Sequence, residues 1–158
     1  MKRRAWAGPC AIFDIDGTLA NNEHRAKHLD HGNYDGNSKE RWAKFFAGIP
    51  LDTPIKPVIG VLVRLAATGT RIVLATGRSE TNRAATVDWL SRHEVPYDAL
   101  YMRPSDCYRP DNIVKSEMLD TILADGWKPW IVFDDRQSVV DMWRERGLVC
   151  CQVAKGDF

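Results

Sequence analysis

The sequence has no apolar run long enough to span a bilayer, and no secretory apolar segment follows its basic start, Met1-Lys2-Arg3-Arg4-Ala5-Trp6. Both absences predict a cytoplasmic protein with no membrane attachment. Charge of one sign is not in excess either. Twenty-two Lys+Arg against 21 Asp+Glu give a net +1, so any nucleic-acid surface must be local rather than global. Cysteine is scarce: Cys10, Cys107, Cys150 and Cys151 form no C-x-x-C pair and no zinc spacing. They read as reduced thiols. His24, His28 and His31 lack a fourth strong ligand for structural zinc. No repeat and no low-complexity tract divides the chain. At 158 residues it is expected to form one domain, 1–158, with a core that needs no staples.

What is present is an alternation of elements. Five apolar, β-rich runs lie at 10–16, 71–76, 99–102, 130–135 and 148–153. Several are continuous rather than alternating, as in strands covered on both faces. Helical patterns fall between them. Val58, Leu62 and Leu65 share a face before Gly69, and Ser79 is placed to cap a helix carrying Ala84, Val87 and Leu90. Val114, Met118 and Ile122 form another stripe before Gly126, and Val139, Met142 and Trp143 another before Gly147. Strands alternating with helices imply right-handed crossovers and an α/β, doubly wound parallel sheet.

Residues 20–53 break this rhythm. The stretch is too long for a simple βα loop and should carry structure of its own. Asn37 with Glu40 reads as a capping box, followed by a stripe of Trp42, Phe45, Phe46 and Ile49. The segment is expected to be a small cap beside the carboxyl end of the first strand.

Open α/β sheets bind ligands at the carboxyl ends of their strands. Three such ends carry reactive groups here: Asp14-Ile15-Asp16-Gly17-Thr18, Ala75-Thr76-Gly77-Arg78-Ser79 and Val132-Phe133-Asp134-Asp135-Arg136. Carboxylates packed together repel and raise one another's pKa, which a divalent cation resolves. Mg²⁺ suits such oxygen donors and keeps sites for phosphate oxygens. If the first strand runs on through Asp14, then Asp14 and Asp16 point the same way. One carboxylate then attacks phosphorus and the other handles protons. Gly17 permits a sharp turn after the strand. Arg78 offers a fork for phosphate oxygens, Asp134 and Asp135 offer metal ligands, and Lys115 offers a charge to neutralise carboxylates and phosphate.

This constellation resembles the haloacid dehalogenase-like (HAD) phosphohydrolase superfamily. Asp14-Ile15-Asp16-Gly17-Thr18 matches its D-x-D-G-T motif, Thr76 its strand-end Thr or Ser, Lys115 its third motif and Asp134-Asp135 its fourth. The resemblance implies a five-stranded parallel sheet of order 3-2-1-4-5, with Asp14 as nucleophile and Asp16 as general acid/base. It implies Mg²⁺ on Asp14, the main-chain carbonyl of Asp16 and Asp135, with Asp134 nearby. The run from Val132 to Arg144, the ending Gln152 to Phe158, Thr76-Gly77-Arg78 and Arg109-x-Asp111-x-x-x-Lys115 are similar, more narrowly, to the 3′-phosphatase domains of phage polynucleotide kinase/phosphatases. By that resemblance Arg25 and Arg78 are active-site arginines that bind the substrate phosphate together with Thr76, Gly77 and Lys115. Asp111 is a supporting aspartate. The implied substrates are 3′-phosphorylated DNA or RNA ends, and some members of the family also process 2′,3′-cyclic phosphates.

Two features depart from the phage pattern. There is no Gly-Lys dipeptide, so a P-loop 5′-kinase is excluded from this chain, and a kinase or ligase would be met as a separate partner. The insertion is also longer. It interleaves Arg25, Lys27, Lys39, Arg41 and Lys44 with Tyr34, Trp42 and Phe45, and Arg103, Tyr108 and Arg109 add to them, a composition compatible with a short single strand. The aromatic stripe reads better as cap core than as a stacking platform. A HAD nucleotidase or other small-molecule phosphomonoesterase is the alternative enzyme, and a catalytically idle nucleic-acid-binding domain the alternative of another class.

Overall fold

A computed structural model describes residues 8–29 and 38–156. In chain order the elements are β1 (Pro9–Phe13), β2 (Ala20–Asn21), α1 (Glu23–Ala26), α2 (Ser38–Ala47), β3 (Thr53–Pro54), α3 (Lys56–Ala67), β4 (Arg71–Ser79), α4 (Arg83–Arg92), β5 (Ala99–Arg103), α5 (Asp111–Ala124), β6 (Lys128–Asp134), α6 (Gln137–Glu145) and β7 (Cys150–Gln152). Five strands form one parallel sheet in the order β5-β4-β1-β6-β7. Counting only those strands, this is the expected 3-2-1-4-5 order.

β1 lies at the centre because both its faces are apolar. Cys10 and Ile12 face a core shared with Val114, Met118 and Ile122 of α5 and with Val139 and Trp143 of α6. Ala11 and Phe13 face the opposite core, with Leu62 of α3, Trp89 and Leu90 of α4, and Ile49 from the insertion. Successive strand residues point to opposite faces, so one short apolar run serves both layers. Gly69, Gly126 and Gly147 end α3, α5 and α6 with positive φ.

Three local expectations need correction. β1 stops at Phe13 rather than Asp16, because the chain turns at once: the amides of Thr18, Leu19 and Ala20 all donate to the Ile15 carbonyl. β4 runs past Thr76 to Ser79, with a register shift between Thr76 and Ser79 in its pairing with β5. Ser79 accepts from the Thr81 amide and caps a short 3₁₀ turn (Glu80–Asn82), not the helix itself. In α4 the buried residues are then Thr86, Trp89 and Leu90, while Ala84 and Val87 face solvent.

The insertion leaves and rejoins the core through an antiparallel ribbon, Ala20 opposite Pro54 and Asn21 opposite Thr53. Inside it, Trp42, Phe45 and Phe46 pack ring on ring at 5.4–5.7 Å between centroids. Phe45 and Ile49 are buried. Asn37, and with it the expected capping box, lies outside the described residues, as do Tyr34, His31, the basic start and the last two residues.

Candidate active site

The carboxyl ends of β1, β4 and β6 meet the start of α5. The Asp14 amide still donates to the Phe133 carbonyl, so β6 fixes this residue although the strand has formally ended. Its side chain is buried. Lys115 Nζ donates to Asp14 Oδ1 at 2.7 Å and to Asp134 Oδ2 at 2.9 Å. Thr18 Oγ1 donates to the other Asp14 oxygen at 3.3 Å. Burial, then the charges of Asp134 and Asp135, push the Asp14 carboxyl well above the usual range, against the opposing pull of Lys115.

Asp16 has a different environment. It sits beyond the turn, and its orientation comes from two arginines rather than from strand alternation. Arg78 donates through Nη2 at 2.6 Å and through Nε at 3.1–3.2 Å, and Arg25 donates through Nη2 at 2.6 Å. Burial pulls the Asp16 carboxyl upward, but Arg78 first, then Arg25 and Lys115, outweigh it and leave the pKa lowered. Two carboxylates two residues apart are thus driven in opposite directions by their surroundings.

Both arginines are almost fully buried, at 1% exposure. They share a residue that the sequence did not single out, Asp52, whose carboxylate takes Arg25 Nε at 2.7 Å, Arg25 Nη2 at 2.8 Å and Arg78 Nη2 at 2.9 Å. His24 Nε2 lies 2.8 Å from the same carboxylate. Trp89 Nε1 donates to the Asp52 carbonyl, and the Phe45 ring lies 4.2 Å beneath the Arg25 guanidinium. Arg25 therefore belongs to this buried network and is not part of an exposed basic surface.

Asp134 accepts from Lys115 and Trp143 Nε1 on one oxygen and from the Asp135 and Arg136 amides on the other. The Asp135 carboxyl is pushed up to about 6, by burial first and then by Asp134. Gly17 has φ +81°, and a Cβ there would run into the Asp135 carboxylate. Asp14, Asp134 and Asp135 bring one oxygen each to within 4.8 Å of one another. Lys115 shares a single charge between Asp14 and Asp134, so three crowded hard oxygen donors remain under-compensated. That donor set fits a Mg²⁺ ion.

Thr76 and Gly77 complete the rim. Thr76 Oγ1 accepts from the Arg78 amide at 3.2 Å. A Cβ on Gly77 would come within 2.5 Å of Asp111 Oδ1. Asp111 lies 3.8 Å from Lys115 Nζ and is held by Arg103 Nη2 at 3.0 Å. Arg103 also donates to the carbonyls of Gly77, Cys107 and Arg109, so it staples this corner internally and is not a surface contact for nucleic acid. Arg109 is likewise paired, with Glu117. Among the described residues no helix is long and apolar enough to cross a membrane.

A family model for the polynucleotide kinase PNKP phosphatase domain matches residues 8–158. Two solved structures of a Pnkp1/Rnl/Hen1 complex, one described as an RNA repair complex, superpose with TM-scores of 0.76 and 0.78 at 32% identity. They cover 96% and 95% of this chain, which spans 47% and 43% of theirs. A protein of Autographa californica nuclear polyhedrosis virus, described as a bifunctional polynucleotide kinase/RNA ligase, is 32% identical over 75 residues, 47% of this chain and 11% of its own length. The chain thus spans less than half of each of these relatives. A haloacid dehalogenase-like hydrolase from Streptococcus pneumoniae shares the fold, with a TM-score of 0.61 at 16% identity over 92% of this chain and 83% of that one.

Proposed function

The chain belongs to the polynucleotide kinase PNKP phosphatase-domain family of HAD phosphatases, and from that premise we propose that it is a Mg²⁺-dependent polynucleotide 3′-phosphatase. Its substrates are 3′-phosphomonoesters at RNA or DNA ends, with 2′,3′-cyclic phosphates as a further class. The relatives described as RNA repair and kinase/ligase proteins favour RNA ends, and a kinase or ligase as partner. The observation that carries the reading is the buried three-carboxylate cluster of Asp14, Asp134 and Asp135, with Asp16 held by two arginines on the turn that follows Asp14.

In this account Asp14 attacks phosphorus. The bond to the 3′ oxygen breaks as the Asp14–phosphorus bond forms, and Asp16 delivers a proton to the departing oxygen. Asp16 then takes a proton from the water that hydrolyses the aspartyl-phosphate. Asp14, Asp135 and the main-chain carbonyl of Asp16, with Asp134 nearby, would hold Mg²⁺, which would supply charge for the phosphate oxygens. Lys115 and the Thr76-Gly77-Arg78 corner bind the phosphate, and Arg25 keeps Asp16 in place. Both arginines hold Asp16 ionised in the structure. A phosphate beside Asp14 competes for Arg78, and the share it takes raises Asp16 toward the protonated form needed of an acid. Asp111 supports Lys115. The insertion at 20–53 acts as a cap over the leaving-group side.

The test is acid-quenched turnover of RNA carrying a labelled 3′-phosphate. Label should appear on the wild-type protein at Asp14. Asp14→Asn should fold normally, show no label and release no phosphate. Unchanged turnover in that variant would discard Asp14 as the nucleophile, and no turnover by the wild-type protein would leave an idle binding domain as the better reading.

A further inference from the structure

The C-terminal segment, residues 150–156, packs against the Asp134–Asp135 turn although it contributes no carboxylate to the site. Its polar contacts there are mostly with backbone. Val153 N donates to the Asp134 carbonyl at 3.0 Å. Gln152 Nε2 donates to the Asp135 carbonyl at 3.0 Å and to Gln137 Oε1 at 3.2 Å. The Gly156 carbonyl accepts from Gln137 N at 2.7 Å. That last bond matters because Arg136, the N-cap of α6, makes no side-chain cap bond, so the helix would otherwise begin with an orphan amide. The fit is tight as well. Gly156 is buried, and a Cβ there would run into the Asp135 carbonyl oxygen and stand 2.7 Å from Arg136 Cα. Those obstacles are main chain and cannot swing aside.

We propose that Gly156 and Gln152 are positioning residues for the Asp135 carboxylate, and that this C-terminal clasp sets the protein's affinity for a divalent cation. Successive carbonyls of the turn, Asp134 and Asp135, and the next free amide, Gln137, are all tied to the segment. The turn between β6 and α6 therefore has no backbone group left with which to relax. Side-chain direction at Asp135 follows from that backbone. Partners outside the ligand set commonly tune metal affinity in this way. The proposal rests on the reading of Asp135 as a metal ligand, but not on any particular substrate.

The experiment titrates Mg²⁺ into the protein by calorimetry, with hydrogen exchange of the metal-free protein read in parallel. Wild type, Gly156→Ala and Gln152→Ala are compared. Both variants should bind Mg²⁺ about tenfold more weakly or worse. Faster exchange should be confined to the turn at 134–137, and in Gln152→Ala the metal-free melting temperature should stay near wild type. Phosphate release should recover at high Mg²⁺. Wild-type affinity in Gln152→Ala, which loses a partly exposed side chain and keeps the core, overturns the proposal. So does exchange that quickens throughout the chain, since the segment would then serve global stability only. A wild-type protein that binds Mg²⁺ but hydrolyses no phosphomonoester would refute the phosphatase reading while leaving this inference standing.

Discussion

Asp52 stands alone in the sequence, between Pro50 and Pro54, yet in the fold it holds Arg25, Arg78 and His24. Nothing local announces it. Its partners Arg25 and Arg78 lie 27 and 26 residues away, and only the fold brings them together. Asp14, Asp16, Arg78, Asp134 and Asp135 were legible because reactive groups at strand ends converge once the strand order is known. Arg103 was misread for the opposite reason: an arginine at a strand end, here between Met102 and Pro104, looks free to meet a ligand, whereas three backbone carbonyls and Asp111 consume its fork. Removing the charge of Asp52 leaves two buried guanidiniums sharing Asp16. Asp52→Asn should cost about 3 kcal/mol or more of unfolding free energy by denaturant titration, because breaking a buried pair strands its partner. Turnover should fall as well, and a variant equal to wild type in both would remove Asp52 from the account.

At the scale of elements, the turn after β1 decides whether the site assembles. Gly17 and Gly69 both have positive φ, at +81° and +90°, but only Gly17 faces a neighbour that a methyl would strike. Gly17→Ala should weaken Mg²⁺ half-saturation by about tenfold through Asp135. Gly69→Ala, with nothing within 4 Å, should cost only backbone strain and leave Mg²⁺ dependence unchanged. Equal Mg²⁺ responses in the two would show that strain, not the carboxylate contact, is what Gly17 relieves. The central strands β1 and β4 were readable because each is apolar on both covered faces. The register of α4 was not, since its burial is set by Trp89 reaching Asp52 across the molecule rather than by the Ala84–Val87 spacing.

For the molecule as a whole, the carboxylate cluster links pH, metal and stability. The folded pKa of Asp135 lies at about 6, above its ordinary value, so the folded state holds a proton that the unfolded state has lost. That contribution is present at pH below the ordinary carboxylate range and disappears as pH rises through about 6. Asp14 is shifted the same way, extending the window upward. Asp16, shifted down, stabilises from the ordinary range upward and is lost only in stronger acid. The metal-free protein should therefore lose stability from pH 4 toward about 6 and beyond. Mg²⁺ should restore it increasingly over the same range, because the ion requires the ionised carboxyls. Thermal melts with and without Mg²⁺ across that range check this. A Mg²⁺ shift that is constant with pH would contradict the assignment of Asp135 to the metal.

The most direct measurement is Mg²⁺-dependent phosphate release from matched 3′- and 5′-phosphorylated RNA and DNA oligonucleotides, with a nucleoside 3′-monophosphate alongside. Selective release from the 3′-phosphorylated oligonucleotides is the predicted result. Release from the mononucleotide alone, or equal release from both ends, would contradict a polynucleotide 3′-phosphatase and favour a small-molecule phosphomonoesterase built on the same carboxylates.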